Sequence, residues 1–360
     1  MPSAVRNPAP PSLHPGPQAT GRDRTVRIVA LGGGTGLSTL LRGLKNFVSA
    51  ARPAYPPSTR RIASPVRGPI ADLAAIVTVT DDGGSSGRLR REYRILPPGD
   101  LRNCMVALSQ DEALLSRLFQ YRFQRRGSLK GHSFGNLFLA ALTKVTGDFP
   151  EAVRLCSEVL AIRGRIFPAT SQLVSLRAEL AGGTEVAGET RISRSRRRIE
   201  RVWLEPRHVK PLAGTLDAIR RADLILLGPG SLYTSIIPNL LVAGVADTIR
   251  RSRATRVYIA NIMTQPGETG GYSVTDHVRA IYEHAGGRIF DWAVINNQQI
   301  SPKLLARYRA EGAEPVRANV AELQKLGVRC VFDHLVEEGG VVRHDPVRLT
   351  RLLLEEFCHP

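Results

Sequence analysis

Short apolar runs alternate with amphipathic stretches along this chain, and the runs repeatedly end in glycine- and serine-rich segments. Residues 26–31 are mostly apolar and read as a strand, and residues 37–48 carry apolar positions at helical spacing. Between them lie Gly32, Gly33, Gly34, Thr35 and Gly36. A β-branched run at 73–80 predicts a second strand, ending in a polar flexible loop of Asp81, Asp82, Gly83, Gly84, Ser85, Ser86 and Gly87. Residues 101–162 are helical in pattern, broken at 127–131 and 147–150, and predict an all-helical layer or lid. From 172 to 205, alternation and the turn at Gly182, Gly183 and Thr184 predict a β-hairpin followed by another strand. Strands are then expected at 224–227, 256–261, 291–295 and 328–332, separated by helices at 238–250, 274–283 and 302–311.

That alternation predicts an α/β fold: a doubly wound, mostly parallel Rossmann-like sheet with a helical layer and a small antiparallel β insertion. Ligands of such sheets sit beyond the carboxyl ends of the strands, where the strand order reverses. The polar segments 32–36, 81–87, 228–231, 261–269 and 296–297 all fall at those ends, so they are expected to converge on one crevice. Residues 1–25, with six prolines and no apolar signal-peptide core, are expected to be a disordered tail ahead of a single domain over 26–360. A proline- and arginine-rich stretch at 49–70 is expected to be a disordered insertion.

Composition narrows the choice of partner. The net charge of +18 suggests a polyanion, yet only six of the 50 basic residues are lysine, so a coding bias toward arginine explains the charge equally well. No zinc-finger spacing, RNA-binding signature or interleaved aromatic pattern is present, which argues against nucleic acid. Six arginines and one glutamate at 191–201 predict a solvated charged loop, with binding of an acidic partner as the alternative. Cys104, Cys156, Cys330 and Cys358 lack any C-x-x-C pair and read as reduced thiols of a cytoplasmic protein. The uncharged run 224–246 is interrupted by glycine, proline and asparagine, so it reads as buried strand, loop and helix rather than a membrane span.

The first glycine turn lets backbone N–H groups and a helix N-terminus approach a phosphate. It lacks both a Walker lysine and the third small position of the dinucleotide fingerprint, so a nucleotide is indicated but not its kind. Gly228, Pro229, Gly230 and Ser231 repeat the same strand-to-turn logic and can hold a second phosphate or a carboxylate. Asp81 and Asp82 can bind a ribose hydroxyl or Mg²⁺, and Asp82 with Asp100 can form a two-carboxylate metal site; Asp100 can instead N-cap a helix starting at Leu101. Arg88, with Arg90 and Arg91, can neutralise a diphosphate. Ser133 reads as an N-cap, with His132 and Asn136 either facing a ligand or supporting the helix. Thr264 to Thr269 form another polar loop, whereas Ser273 and Asp276 are explained by helix capping, which discounts Asp276 and His277 as catalytic.

These segments, TDDGGSSG at 80–87, LGPGSLYTSIIPN at 227–239 and NIMTQPGET at 261–269 among them, resemble the gluconeogenesis-factor (YvcK) family, which is related to the 2-phospho-L-lactate transferase CofD. The resemblance implies a cytoplasmic bacterial protein that binds UDP-sugars such as UDP-N-acetylglucosamine and is linked to cell shape and peptidoglycan precursor supply during gluconeogenic growth. It implies ligand contacts from both glycine turns, Asp81, Asp82, Ser85, Ser86, Arg88, His132, Asn136, Asn261 and Thr264. Arg343 matches a C-terminal Arg-His-Asp element and is implied as a UDP-sugar contact; the following Pro346 lacks a hydroxyl that could be regulated. In CofD relatives a Mg²⁺-dependent transfer of a phospholactyl-type group to a deazaflavin uses positions matching Asp82 and Asp100. Two readings follow: a binding regulator with a protein partner in cell-wall synthesis, possible as a homodimer, or a transferase using Asp82, Asp100 and Arg88. A nicotinamide-dependent oxidoreductase fits neither the glycine spacing nor any hydride site.

Overall fold

The computed structural model describes residues 25–49, 69–110 and 114–358. Residues 1–24 and 50–68, which hold nearly all of the expected tail and insertion, lie outside it. Strand β1 (Val26–Gly32) runs into helix α1 (Gly34–Leu44), and β2 (Ile70–Val77) is followed by α2 (Gly84–Tyr93). The helical layer is α3 (Gly99–Leu108), α4 (Leu114–Gln120), α5 (Phe134–Thr146) and α6 (Phe149–Val159), leading to β3 (Arg165–Pro168). The insertion comprises β4 (Ser175–Leu180), β5 (Thr184–Ala187), α7 (Glu189–Arg194) and β6 (Ile199–Glu205). Then come α8 (Thr215–Arg221), β7 (Leu224–Leu227), a π-turn at Leu232–Ile236, α9 (Ile237–Leu240), α10 (Val245–Arg251) and β8 (Thr255–Ile259). The chain closes with α11 (Val274–Ala285), β9 (Trp292–Asn296), α12 (Pro302–Ala310), α13 (Val320–Lys325), β10 (Arg329–Asp333), β11 (Val336–Glu338), β12 (Val342–His344) and α14 (Pro346–Phe357).

The central sheet is parallel throughout, in the order β10-β9-β8-β7-β1-β2-β3, and β5-β4-β6 form the separate antiparallel sheet of the insertion. The chain builds outward from β1 in one direction, then returns to add β7 on its other side. The strand order therefore reverses between β1 and β7, whose registers meet at Leu31 and Leu227. Helix α1 forms because Leu37, Leu40, Leu41 and Leu44 recur at helical spacing, and all four are fully buried. Burial of side chains of this size contributes about 1.5–3 kcal/mol each. A small satellite core of Ile262, Met263, Ile300 and Val336 lies apart from the main one and packs against Leu304, Leu305 and Tyr308 of α12.

Several boundaries differ from the sequence reading. Helix α1 starts at Gly34, three residues early, because the glycine turn is itself its first turn. Residues 84–87 are helix rather than loop: Gly87 packs onto the Asp82 carbonyl, and Ser85 and Ser86 are buried in the first turn of α2. The arginine-rich 191–201 stretch is the end of α7, a connection at 195–198 and the start of β6, anchored by the buried Ile192 and Ile199; the expected loop is confined to 195–198 and carries Arg196, Arg197 and Arg198. The helix expected over 238–250 is split by Gly244 in the left-handed region. Edge strand β3 was not expected; its four residues are too few to show a period.

Asp148 caps α6 and Ser133 caps α5, while Ser273 and Asp276 form a capping box on α11. Among the described residues no single helix is long and apolar enough to cross a membrane; the apolar pair Leu232–Leu240 and Val245–Arg251 is bent by 75°. All four cysteines are free.

Candidate functional site

At the strand-order reversal, a cavity of about 540 Å³ opens between the two glycine turns. Gly33, Gly34, Thr35 and Gly36 line one side, Pro229, Gly230 and Ser231 the other, and Asn261, Thr264, Tyr308, Arg343 and His344 complete it. The turns touch, and glycine is what allows it: a Cβ on Gly36 would lie 2.4 Å from the Pro229 carbonyl oxygen. A Cβ on Gly33 would lie 2.7 Å from an Asp100 carboxylate oxygen. Gly34 is glycine for a different reason, its φ of +59°.

No side chain caps α1. Its first-turn N–H groups have no acceptor within the helix, and they present a positive dipole end at the cavity. Asp100 accepts from the Gly34 N–H. Behind the cavity, the buried Asn239 donates through Nδ2 to the Gly32 carbonyl at 3.1 Å and the Ser235 carbonyl at 2.8 Å, tying the turns together. Gln265 donates to Ser231 Oγ at 2.9 Å, and Thr264 Oγ1 accepts from the Glu314 N–H at 2.9 Å, which fixes the third loop. His344 is buried, and burial pushes its pKa down to about 4, so it meets the cavity as a neutral imidazole.

The remaining predicted residues gather elsewhere. Ser85 Oγ lies 3.0 Å from His132 Nδ1 and accepts from Asn136 Nδ2 at 3.1 Å, a buried cluster joining the N-termini of α2 and α5. Arg88 donates to the Lys130 carbonyl at 2.5 Å, and none of these four residues lines the cavity. Asp82 is bound to the insertion: its Oδ1 accepts from the Thr190 N–H at 2.9 Å and Thr190 Oγ1 at 2.7 Å. Asp81 accepts from the Gly83 N–H at 2.8 Å.

Asp100 connects the two groups but does not cap its helix, since the N-cap of α3 is Pro98. Burial, then the charge of Asp81, raises its pKa to about 6. Asp82 is not the carboxylate that bears on it. Asp82 is hydrogen-bonded to Thr190 and Asp100 to Gly34, while the charges of both carboxylates act on Glu189. Among the described residues, no group of three or more His, Cys, Asp or Glu side chains could hold a metal ion. Burial and the charges of Asp100, Asp81, Glu268 and Asp82 raise the pKa of Glu189 well above the usual carboxylate range. Burial also raises that of Glu268, which accepts from Ser193, Thr234 and the Tyr233 N–H.

A larger cavity, of about 670 Å³, lies between the insertion and α11. Arg196, Arg197, Arg198 and Arg279 line it, but Glu200, Glu268, Asp276 and Glu283 oppose them, so it offers no net positive charge to an anion.

Comparison with known proteins decides the family. The family model for the 2-phospho-L-lactate transferase CofD matches residues 28–336. A gluconeogenesis factor of Halalkalibacterium halodurans is 46% identical over 329 residues, covering 91% of this chain and 95% of that protein. This chain belongs to the CofD family and its gluconeogenesis-factor group.

The gluconeogenesis factor of Bacillus subtilis is likewise 46% identical, over 91% of this chain and 97% of that protein. A crystal structure of a Bacillus halodurans protein matches this CofD-family fold with a TM-score of 0.84 at 46% identity, covering 92% of this chain and 99% of that one. Within this gluconeogenesis-factor chain, sequence reasoning missed Asn239, Gln265, Tyr308, His344, Glu189 and Glu268 as parts of the site or its support. Asn239 and Gln265 stood in motifs already quoted, where a polar residue followed an apolar run. Glu189 carried no local signal, because only the insertion's return to the sheet brings it beside Asp81 and Asp100.

Proposed function

We propose that this protein binds a nucleotide-linked sugar of the UDP-N-acetylglucosamine type between its two glycine turns and acts as a cytoplasmic regulator. On this reading it serves peptidoglycan precursor supply and cell shape during gluconeogenic growth, through a protein partner in cell-wall synthesis. The observation that carries the reading is the contact of Gly36 with Pro229, which sets two glycine turns side by side at the N-terminus of α1. Arg343 at the rim supplies a cation for a diphosphate. The names of the curated relatives, gluconeogenesis factors, support the link to gluconeogenic growth.

A CofD-like transferase is the second reading, favoured by the acids gathered near Asp100. No step is assigned through Mg²⁺, because Asp82 and Asp100 are held by other partners. The test is calorimetric titration with UDP-N-acetylglucosamine, UDP, GDP and NAD, with and without Mg²⁺, each mixture checked by mass spectrometry. Tight UDP-sugar binding without chemical change is expected. Preference for GDP, or consumption of a nucleotide-activated donor once a deazaflavin is added, would replace the regulator with the transferase.

A further inference from the structure

Helix α4 and the hairpin that follows it carry an apolar stripe on their outer side. Leu114 and Leu118, 71% and 40% exposed, stand one helical turn apart. Tyr121, 55% exposed, extends the stripe by a further turn, its N–H donating to the Leu118 carbonyl at 3.0 Å. The inner side is anchored: Phe119 is buried and meets the rings of Phe134 and Phe138 of α5 at centroid distances of 5.8 and 5.2 Å. Beyond α4 the chain turns back on itself, with the Phe123 N–H donating to the His132 carbonyl at 2.9 Å and the Phe134 N–H to the Tyr121 carbonyl at 2.8 Å. Tyr121, Phe123 and Leu129, the last 47% exposed, line a cavity of about 750 Å³ that residues 121–129 form between them.

The charge on this segment has one sign. Residues 113–147 hold Arg117, Arg122, Arg125, Arg126, Lys130 and Lys144 and no acidic residue. Among the described residues none of the first five is ion-paired, and Arg122 donates to the Gly131 carbonyl at 2.8 Å. Glu92 of α2 faces His132 at the base of the hairpin, but Arg88 and Arg122 face it as well.

We propose that α4 and the 121–133 hairpin dock this protein on an anionic lipid surface. Interfacial docking needs apolar side chains free to leave water and cations beside them for the headgroups, and this segment supplies both. Arginine and lysine stems also lie along apolar surface while their charged ends reach the headgroups. A second copy of the chain fits less well, because a two-fold contact over the stripe would set these cations against their own images. A nucleic acid would use the cations and the two rings, but the leucines give its bases no face to stack on. None of residues 114–133 lines the cavity between the glycine turns, so docking leaves that crevice open and stands apart from the nucleotide reading.

The test floats the full chain with vesicles of phosphatidylcholine alone and of phosphatidylcholine with phosphatidylglycerol, at low and at raised salt. Binding to the phosphatidylglycerol vesicles alone, weakened by salt, is expected. Arg125→Glu/Arg126→Glu should weaken it by about tenfold or more, since each basic side chain beside an anionic bilayer is worth roughly fivefold. Leu114→Ser/Leu129→Ser changes no charge and should weaken it by about tenfold as well, through loss of the apolar anchors. All four side chains are exposed, and equal melting temperatures of variants and parent check that the fold is kept. A parent that binds neither vesicle overturns the proposal. So does undiminished binding by the leucine variant, which would leave only diffuse electrostatic attraction. A parent that shifts a single-stranded oligonucleotide and leaves the vesicles alone gives the patch to nucleic acid instead. A dimer seen by light scattering that the leucine substitutions dissolve gives it to a second copy.

Discussion

The side-chain amide of Asn239 donates to the main-chain carbonyl of Gly32 at 3.1 Å, across 207 positions of sequence. The same nitrogen donates to the Ser235 carbonyl, so one buried amide holds both walls of the crevice. Asn239→Ala leaves two inward-facing carbonyls without that donor, and an unmade buried hydrogen bond costs about 1–3 kcal/mol. Chemical denaturation should show a loss in that range. A stability equal to the parent's would mean that the turns are held by packing alone.

Gly36 and Gly34 should fail differently. Gly36→Ala drives a methyl group into the Pro229 carbonyl, so the turns must part, and nucleotide affinity is expected to fall more than tenfold. Gly34→Ala meets only Ser235 Oγ at 3.8 Å but keeps φ at +59°, so the cost, about 1 kcal/mol, falls mainly on folding. Calorimetry paired with thermal melting distinguishes the two; equal effects of both substitutions on affinity would contradict the contact.

Asp100 sets a pH dependence of stability. Its pKa rises from 3.8 unfolded to about 6 folded, through burial and then Asp81, with Gly34 and Arg102 acting against them and Glu189 also nearby. A group raised in this way favours the fold fully below its unfolded pKa and loses that contribution as pH rises through the folded value. Asp100→Asn keeps an acceptor for Gly34 and removes the ionisation. Relative to this variant, the parent should lose on the order of 2 kcal/mol between pH 4 and pH 7. Parallel stability curves would place the ionisation elsewhere.

Asp82 is expected to act as a latch for the insertion. Asp82→Ala removes both bonds from Thr190 and Thr190→Val removes the hydroxyl bond, so hydrogen exchange across 175–205 should quicken in each, more in Asp82→Ala. If Asp82→Ala instead weakens ligand binding while Thr190→Val and the exchange rates do not change, the carboxylate faces the ligand.

The sequence by itself determined the parallel sheet and both glycine turns. Strand, turn and helix here are local patterns: the apolar runs of β1 and β7 and the helical period of α1 are written in consecutive residues. It also determined the caps at Ser133 and Ser273, because a cap is a contact within one turn of helix. Only the tertiary structure decided which polar residues meet. Asp82 looked like a partner for Asp100, yet the returning insertion offers Thr190 to it and leaves Asp81 beside Asp100. His132 and Asn136 both bond Ser85 Oγ between two helices, with Asn136 Oδ1 left without a partner, and none of the three lines the cavity that holds Arg343 and His344. Hydrogen-bonding groups take the partners that folding brings within 3 Å, and those partners are set by packing across the sheet rather than by spacing along the chain.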